Sequence, residues 1–230
     1  STYFFKVFRR SDANYTVFYE TIHEAIYMNK KNPKPLLDMD HNTNKNLRHP
    51  VMEKPYWAEV YDVWPAWQSK INEESIYSAY FGAKGSDLGI NFWKSLISST
   101  NGKAVFQECR TAGRIKPIRD ELGGYHIYLW RNPWDQWWSY RTESYFDRVN
   151  QIIIRAKNIP APINIMCKAL GISSQCPNSI DEAISFFEKQ PLNSENSYLV
   201  FYMLWCLGLH SGIKHAHLML NIDQMSISNE

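Results

Sequence analysis

The most constraining stretch of this chain runs from residue 104 to residue 130. Residues 104–109 form a short apolar run opening on Ala104, Val105 and Phe106; residues 115–122 place apolar side chains at helical spacing and stop at Gly123 and Gly124; residues 125–130 form a second run ending in Tyr128, Leu129 and Trp130. Short β-branched and aromatic runs are strand signals, and glycine directly after a helical pattern is a stop signal. Strand, helix, strand with short connectors is the βαβ pattern, which predicts parallel strands and a right-handed crossover. The expected class is therefore α/β, a small parallel sheet flanked by helices.

The rest of the chain fits one domain over residues 1–230. Residues 3–8 are short, aromatic and β-branched and end in a polar, turn-prone cluster, so they are expected to be a strand entering a loop. Residues 16–28 fit a strand or a helix, and residues 29–50, rich in Lys, Asn, Asp and Pro, read as a long loop or lid. Helical spacing recurs over 56–67 and 74–81 and more clearly over 88–97. Beyond Pro133 the chain is helix-rich, with helices expected over 133–146, 148–157, 163–170, 180–189 and 197–209 and a last strand over 216–222.

Composition narrows the function classes. At 230 residues and 44% hydrophobic the chain can bury a sizeable core, and the apolar run 198–209 is too short to cross a bilayer. A net charge of +2 lacks the basic field of a nucleic-acid binder. Cys109, Cys167, Cys176 and Cys206 form no C-x-x-C pair, so reduced thiols in a cytoplasmic protein are expected, and the single sequon at Asn14 does not change that. No signal peptide is visible, and a start at Ser1 rather than Met is expected of trimmed termini. Aromatic residues make up 15%, and Trp130, Trp134, Trp137 and Trp138 fall within nine residues.

Those tryptophans surround a strand-to-helix junction, the place where open parallel sheets bind ligands. Asn132 suits an N-cap, Pro133 suits the first helical position, and Asp135 suits the positive end of the helix dipole. Such a helix start is an anion site, and Arg131 beside it adds a bidentate donor for phosphate. The same string also fits an ordinary capping signal with Arg131 on the surface. Trp134, Trp137, Trp138 and Tyr140 suit either stacking on a base or packing in the core.

The string Arg131, Asn132, Pro133, Trp134, Asp135, Gln136, Trp137, Trp138, Ser139, Tyr140 resembles the 3′-phosphate motif of sulfotransferases, R-N/D-P-x-D-x-x-x-S-Y after a hydrophobic strand. The resemblance implies a P-loop-kinase-like architecture and a donor, 3′-phosphoadenosine 5′-phosphosulfate, whose 3′-phosphate is held by Arg131 and Ser139. Family members bind the 5′-phosphosulfate in a strand-loop-helix turn of the type P-K/R-S-G-T-T. The matching stretch here implies Arg9, Arg10, Ser11 and Thr16 as donor ligands, with Arg10 also stabilising the leaving phosphate; Asp12 replaces the usual glycine.

The string Tyr19, Glu20, Thr21, Ile22, His23, Glu24 resembles the family segment that supplies the general base. It implies Glu20 as first choice, with His23 and Glu24 behind it. About ten residues separate Arg10 from Glu20, where the family fits a full helix. Glu20 and Glu24 also fit a solvated i,i+4 pair.

The expected activity is sulfuryl transfer to a hydroxyl acceptor, carbohydrate or small molecule, by in-line displacement without a metal. The alternative is a non-catalytic domain with a degenerate 5′-phosphosulfate loop. A P-loop kinase is disfavoured because no G-x-x-x-x-G-K-S/T occurs. Secondary candidates are His49 as a lid residue, Arg110 and Arg114 as ligand contacts or helix-start residues, and His215 with His217 as metal ligands or structural residues.

Overall fold

The computed structural model describes residues 2–39, 52–82 and 84–227. About half of the chain is helical, with two small parallel sheets of two strands each, an α/β class. The chain divides into two compact units, one of residues 1–76 with 87–110, the other of residues 77–86 with 111–230. His49 and residues 40–50 of the 29–50 segment lie outside the described residues; its described part contains a 3-10 turn over Lys34–Leu37.

The first unit opens on helix α1 (Thr2–Arg9), where the aromatic run predicted a strand. Phe5 and Phe8, three residues apart, share one helix face, and Phe5 is buried against Tyr19 and Tyr56. Strand β1 (Tyr15–Tyr19) follows, then α2 (Glu24–Met28), α3 (Ala58–Asp62), α4 (Trp64–Trp67), α5 (Ile90–Ser98) and β2 (Lys103–Gln107). Between α1 and β1, Asn14 takes φ +54, which asparagine tolerates, and a side chain at Gly102 would collide with the Asn14 carbonyl.

Strands β1 and β2 are parallel, with Tyr15 opposite Lys103 and Tyr19 opposite Gln107; the paired Phe18 and Phe106 stack at 5.2 Å. Trp57, Trp67, Phe92 and Leu96 fill the core of this unit. Each buried indole keeps a hydrogen bond, Trp57 Nε1 to the Tyr19 carbonyl at 2.8 Å and Trp67 Nε1 to the Val60 carbonyl at 2.7 Å.

The second unit contains α6 (Ile115–Leu122), β3 (Ile127–Trp130), α7 (Pro133–Tyr140), α8 (Ser144–Ile153), α9 (Ala161–Ala169), α10 (Ile180–Glu188), α11 (Ser194–His215), β4 (Leu218–Asn221) and α12 (Ile222–Ile227). Strand β3 is parallel to β4, not to β2, so the 104–130 segment does not close a βαβ unit within one sheet. The helix expected over 133–146 breaks after Tyr140 into two, and residues 74–81 form turns rather than a helix.

The long α11 buries Val200, Phe201 and Leu204 on one side. Gly208 and Gly212 let Tyr128 of β3 lie against its backbone, where a Cβ would approach the Tyr128 hydroxyl to 2.7 Å and the ring to 2.6 Å. Among the described residues no helix is long and apolar enough to cross a membrane.

Candidate functional site

In the first unit, the segments leaving the carboxyl ends of β1 and β2 meet. Glu20, directly after β1, takes φ +39, a left-handed backbone that a residue with a side chain adopts only when its surroundings hold it. Its amide donates to the Gln107 carbonyl at 2.7 Å. Glu108, directly after β2, then receives the Thr21 amide at 2.9 Å, the Ile22 amide at 3.4 Å and the Thr21 hydroxyl. That hydroxyl accepts the Trp93 indole N–H at 2.8 Å, so one carboxylate fixes the whole turn that carries Glu20.

Arg110, only 4% exposed, reaches from the β2 side to Glu20 Oε2 at 3.4 Å and to Glu24 Oε2 at 3.2 Å. Its guanidinium also donates to Cys109 Sγ at 3.1 Å. His23 Nδ1 accepts the Ala25 amide at 3.1 Å and caps α2, which leaves the proton of the neutral ring on Nε2. The ring also packs against Trp57 at 5.2 Å. Glu20 and Glu24 are therefore not a solvated helical pair; one buried guanidinium clamps both. Of the three base candidates His23 is committed to its cap and Glu24 is the more buried carboxylate, which leaves Glu20 the more accessible.

Burial pushes the Glu108 carboxyl up from an ordinary 4.5 to about 7; its hydrogen bonds from Thr21 and Ile22 oppose the shift and the Glu20 charge adds to it. Cys109 is an exposed residue, yet its thiol is turned inward and held well above the usual thiol range, first by the protein packed around the sulfur, with Glu20 and Glu108 adding and Arg110 opposing. For Glu108 the sign is that of an acid whose folded pKa exceeds its unfolded one. Its contribution is most favourable below about pH 4.5 and is lost as the pH rises through 7. The melting temperature of the native chain is thus expected to fall between pH 5 and pH 8 by more than that of Glu108→Gln, which cannot titrate. Parallel pH profiles of the two in thermal melts would remove Glu108 as the source.

Arg9, Arg10 and Ser11 do not lie between a strand and a following helix. They end α1 and lead into β1, where the unsatisfied backbone groups are carbonyls and the dipole is negative, the reverse of an anion cradle. Arg9 is held by Glu59, with Nε to Oε1 at 2.8 Å and Nη2 to Oε2 at 2.5 Å, and Arg10 pairs with Glu53. The Ser11 hydroxyl accepts the Ala13 amide at 3.3 Å, and Thr16 sits within β1. The turn over residues 11–14 and the strand β1, roughly 15 Å long at about 3.3 Å per residue, come between Arg10 and Glu20 in the chain. The short spacing between them is filled by a strand because the helix comes before Arg10 rather than after it.

In the second unit, the junction of β3 and α7 forms where the sequence placed it. Asn132 caps α7, its Oδ1 accepting the Trp134 amide at 2.9 Å and the Asp135 amide at 3.4 Å, and its carbonyl takes the Gln136 amide at 3.1 Å. The Asn132 amide donates to Asp223 Oδ2 at 2.6 Å, and Pro133 has no amide to offer. The helix amides expected to receive an anion are thus already occupied, which leaves recognition to side chains. Arg131 is 38% exposed, its Nε lying 3.6 Å from Asp223 Oδ1. Ser139 is exposed, seven residues or about two turns after the cap and so back on the cap's face of the helix.

The tryptophans divide: Trp137 is buried and donates to Ser197 Oγ, whereas Trp134 and Trp138 are 48% and 54% exposed. Arg114 is fully buried at the N-cap position of α6, where its side chain makes no capping hydrogen bond. His215 ends α11, and His217 Nδ1 accepts the His126 amide at 3.0 Å beside a stacked Tyr125, so the two do not line one strand face. No family model, curated protein or solved structure matches the chain. Glu108, Trp93 and the clamping role of Arg110 are absent from the sequence reading, although a carboxylate and an arginine directly after a predicted strand are a usable signal.

Proposed function

We propose that the chain is a sulfotransferase, moving a sulfuryl group from 3′-phosphoadenosine 5′-phosphosulfate to a hydroxyl of a carbohydrate or small molecule. The observation that carries this reading is the β3–α7 junction, where a half-exposed Arg131 ends a parallel strand and an exposed Ser139 follows two turns into an Asn132-capped helix. Those residues offer the 3′-phosphate a bidentate guanidinium and a hydroxyl. The acceptor oxygen attacks sulfur, and Glu20, oriented by Arg110 within the first unit, is the candidate base for the acceptor proton. The bond from sulfur to the bridging phosphate oxygen breaks in line, and the leaving phosphate keeps its electron pair. Arg10 is not assigned to that phosphate, because it lies at the far end of β1 and pairs with Glu53.

Calorimetry with 3′-phosphoadenosine 5′-phosphate tests the reading directly. Binding is expected, and Glu20→Gln is expected to retain it while losing transfer from labelled donor to a hydroxyl acceptor. A second reading, a binding domain without catalysis, is favoured by one observation: residues 9–16 do not build a phosphate cradle. Nucleotide binding with no transfer in either form would select it; absence of nucleotide binding would defeat both.

A further inference from the structure

The first unit carries a concave surface away from the Glu20 cluster. Glu24 opens α2, and beyond the other end of that helix a cavity of about 430 Å³ is lined by Lys31, Asn32, Lys34, Tyr61, Asp62 and Trp64, among others. A second cavity of about 290 Å³ shares Lys31 with it. Lys30 is committed, its Nζ lying 4.2 Å over the Tyr27 ring and donating to the Ile71 carbonyl at 3.4 Å. Lys31 and Lys34 are exposed and make no ion pair among the described residues. The Trp64 indole N–H donates to the Lys30 carbonyl at 2.7 Å, which fixes the indole as a wall of the cavity.

Two free ammonium groups, aromatic walls from Trp64 and Tyr61, and an exposed Asp62 carboxylate form a recognisable set. The ammonium groups suit carboxylate or sulfate, the rings suit the C–H face of a sugar, and the carboxylate accepts from sugar hydroxyls. We infer that this cleft binds an acidic oligosaccharide and thereby selects an already anionic saccharide as the acceptor. The inference rests on the sulfuryl-transfer reading for the acceptor role. The five residues of α2 span roughly 7 Å at about 1.5 Å per residue, so a ligand that runs the length of this helix is longer than one sugar ring. Nucleic acid is a poorer fit, because a net charge of +2 provides no extended basic track.

The test is calorimetric titration of the full chain with a uronic-acid-containing tetrasaccharide and with its carboxyl-reduced, neutral counterpart. The acidic form is expected to bind, more weakly as salt rises, and to lose about tenfold in affinity in the double variant Lys31→Glu, Lys34→Glu. The melting temperature and the binding of 3′-phosphoadenosine 5′-phosphate are expected to stay unchanged in that variant. Equal binding of the neutral saccharide, undiminished affinity in the variant, or equally tight binding of poly-glutamate would overturn the inference. A native chain that binds the nucleotide but not the acidic saccharide overturns this inference alone. A native chain that binds the acidic saccharide but not the nucleotide overturns the transferase reading and, with it, the acceptor role.

Discussion

Arg110→Ala is expected to lower the stability of the chain by about 3–5 kcal/mol, read from urea denaturation at neutral pH. Removing the guanidinium leaves Glu24, 7% exposed, and Glu20, 16% exposed, facing one another with the cation between them gone. A buried ion pair adds little net stability over an apolar replacement of the same shape, but deleting one partner strands the other. The triple variant Arg110→Ala, Glu20→Gln, Glu24→Gln is therefore expected to recover a substantial part of the loss. A single-variant loss below about 1 kcal/mol, the range of exposed pairs, would mean that water reaches the cluster and that Arg110 does not hold Glu20.

Arg131→Ala is expected to weaken binding of 3′-phosphoadenosine 5′-phosphate by about 100-fold. A hydrogen-bonded contact between charged groups contributes up to about 3 kcal/mol, and Arg131 is the cation at the head of α7, whose own amides are taken by Asn132. Ser139→Ala, which removes a neutral donor, is expected to cost about tenfold. The comparison that isolates the site is adenosine 5′-phosphate, which lacks the 3′-phosphate and whose weaker binding is expected to be the same in native and Arg131→Ala chains. Equal losses for both nucleotides would place Arg131 at some other part of the ligand. The Asp223 carboxylate beside Arg131 competes with any incoming phosphate, so the affinity gained from this arginine is smaller than from an unpaired one.

Local signals read correctly wherever a short segment decides its own structure. Asn132 and Pro133 start a helix because the cap supplies an acceptor for two free amides and proline needs no donor there, and neither effect depends on distant residues. The helix stop at Gly123 is of the same kind: its amide closes the last turn of α6 onto the Arg119 carbonyl. The run at residues 3–8 failed for the opposite reason. Its aromatic and β-branched residues favour a strand by propensity, yet Phe5 and Phe8 pack better on one helix face against β1 and its neighbours. The expected phosphate loop failed with it, because residues 9–16 depended on a strand before them.

The chain by itself determined the α/β class and the β3–α7 junction. The junction follows from contacts within about ten residues, where backbone hydrogen bonding and helix capping dominate, and the class from the succession of short apolar runs and helical spacing. Tertiary structure alone decided that β2 pairs with β1 and β3 with β4, and that Arg110 joins Glu20 to Glu24 across 90 and 86 positions of chain. It also decided that Asp223 meets the Asn132 amide across 91. Long-range pairings of this kind are selected by shared burial, which desolvates the charges and makes their partners obligatory, and no local pattern in the sequence records it.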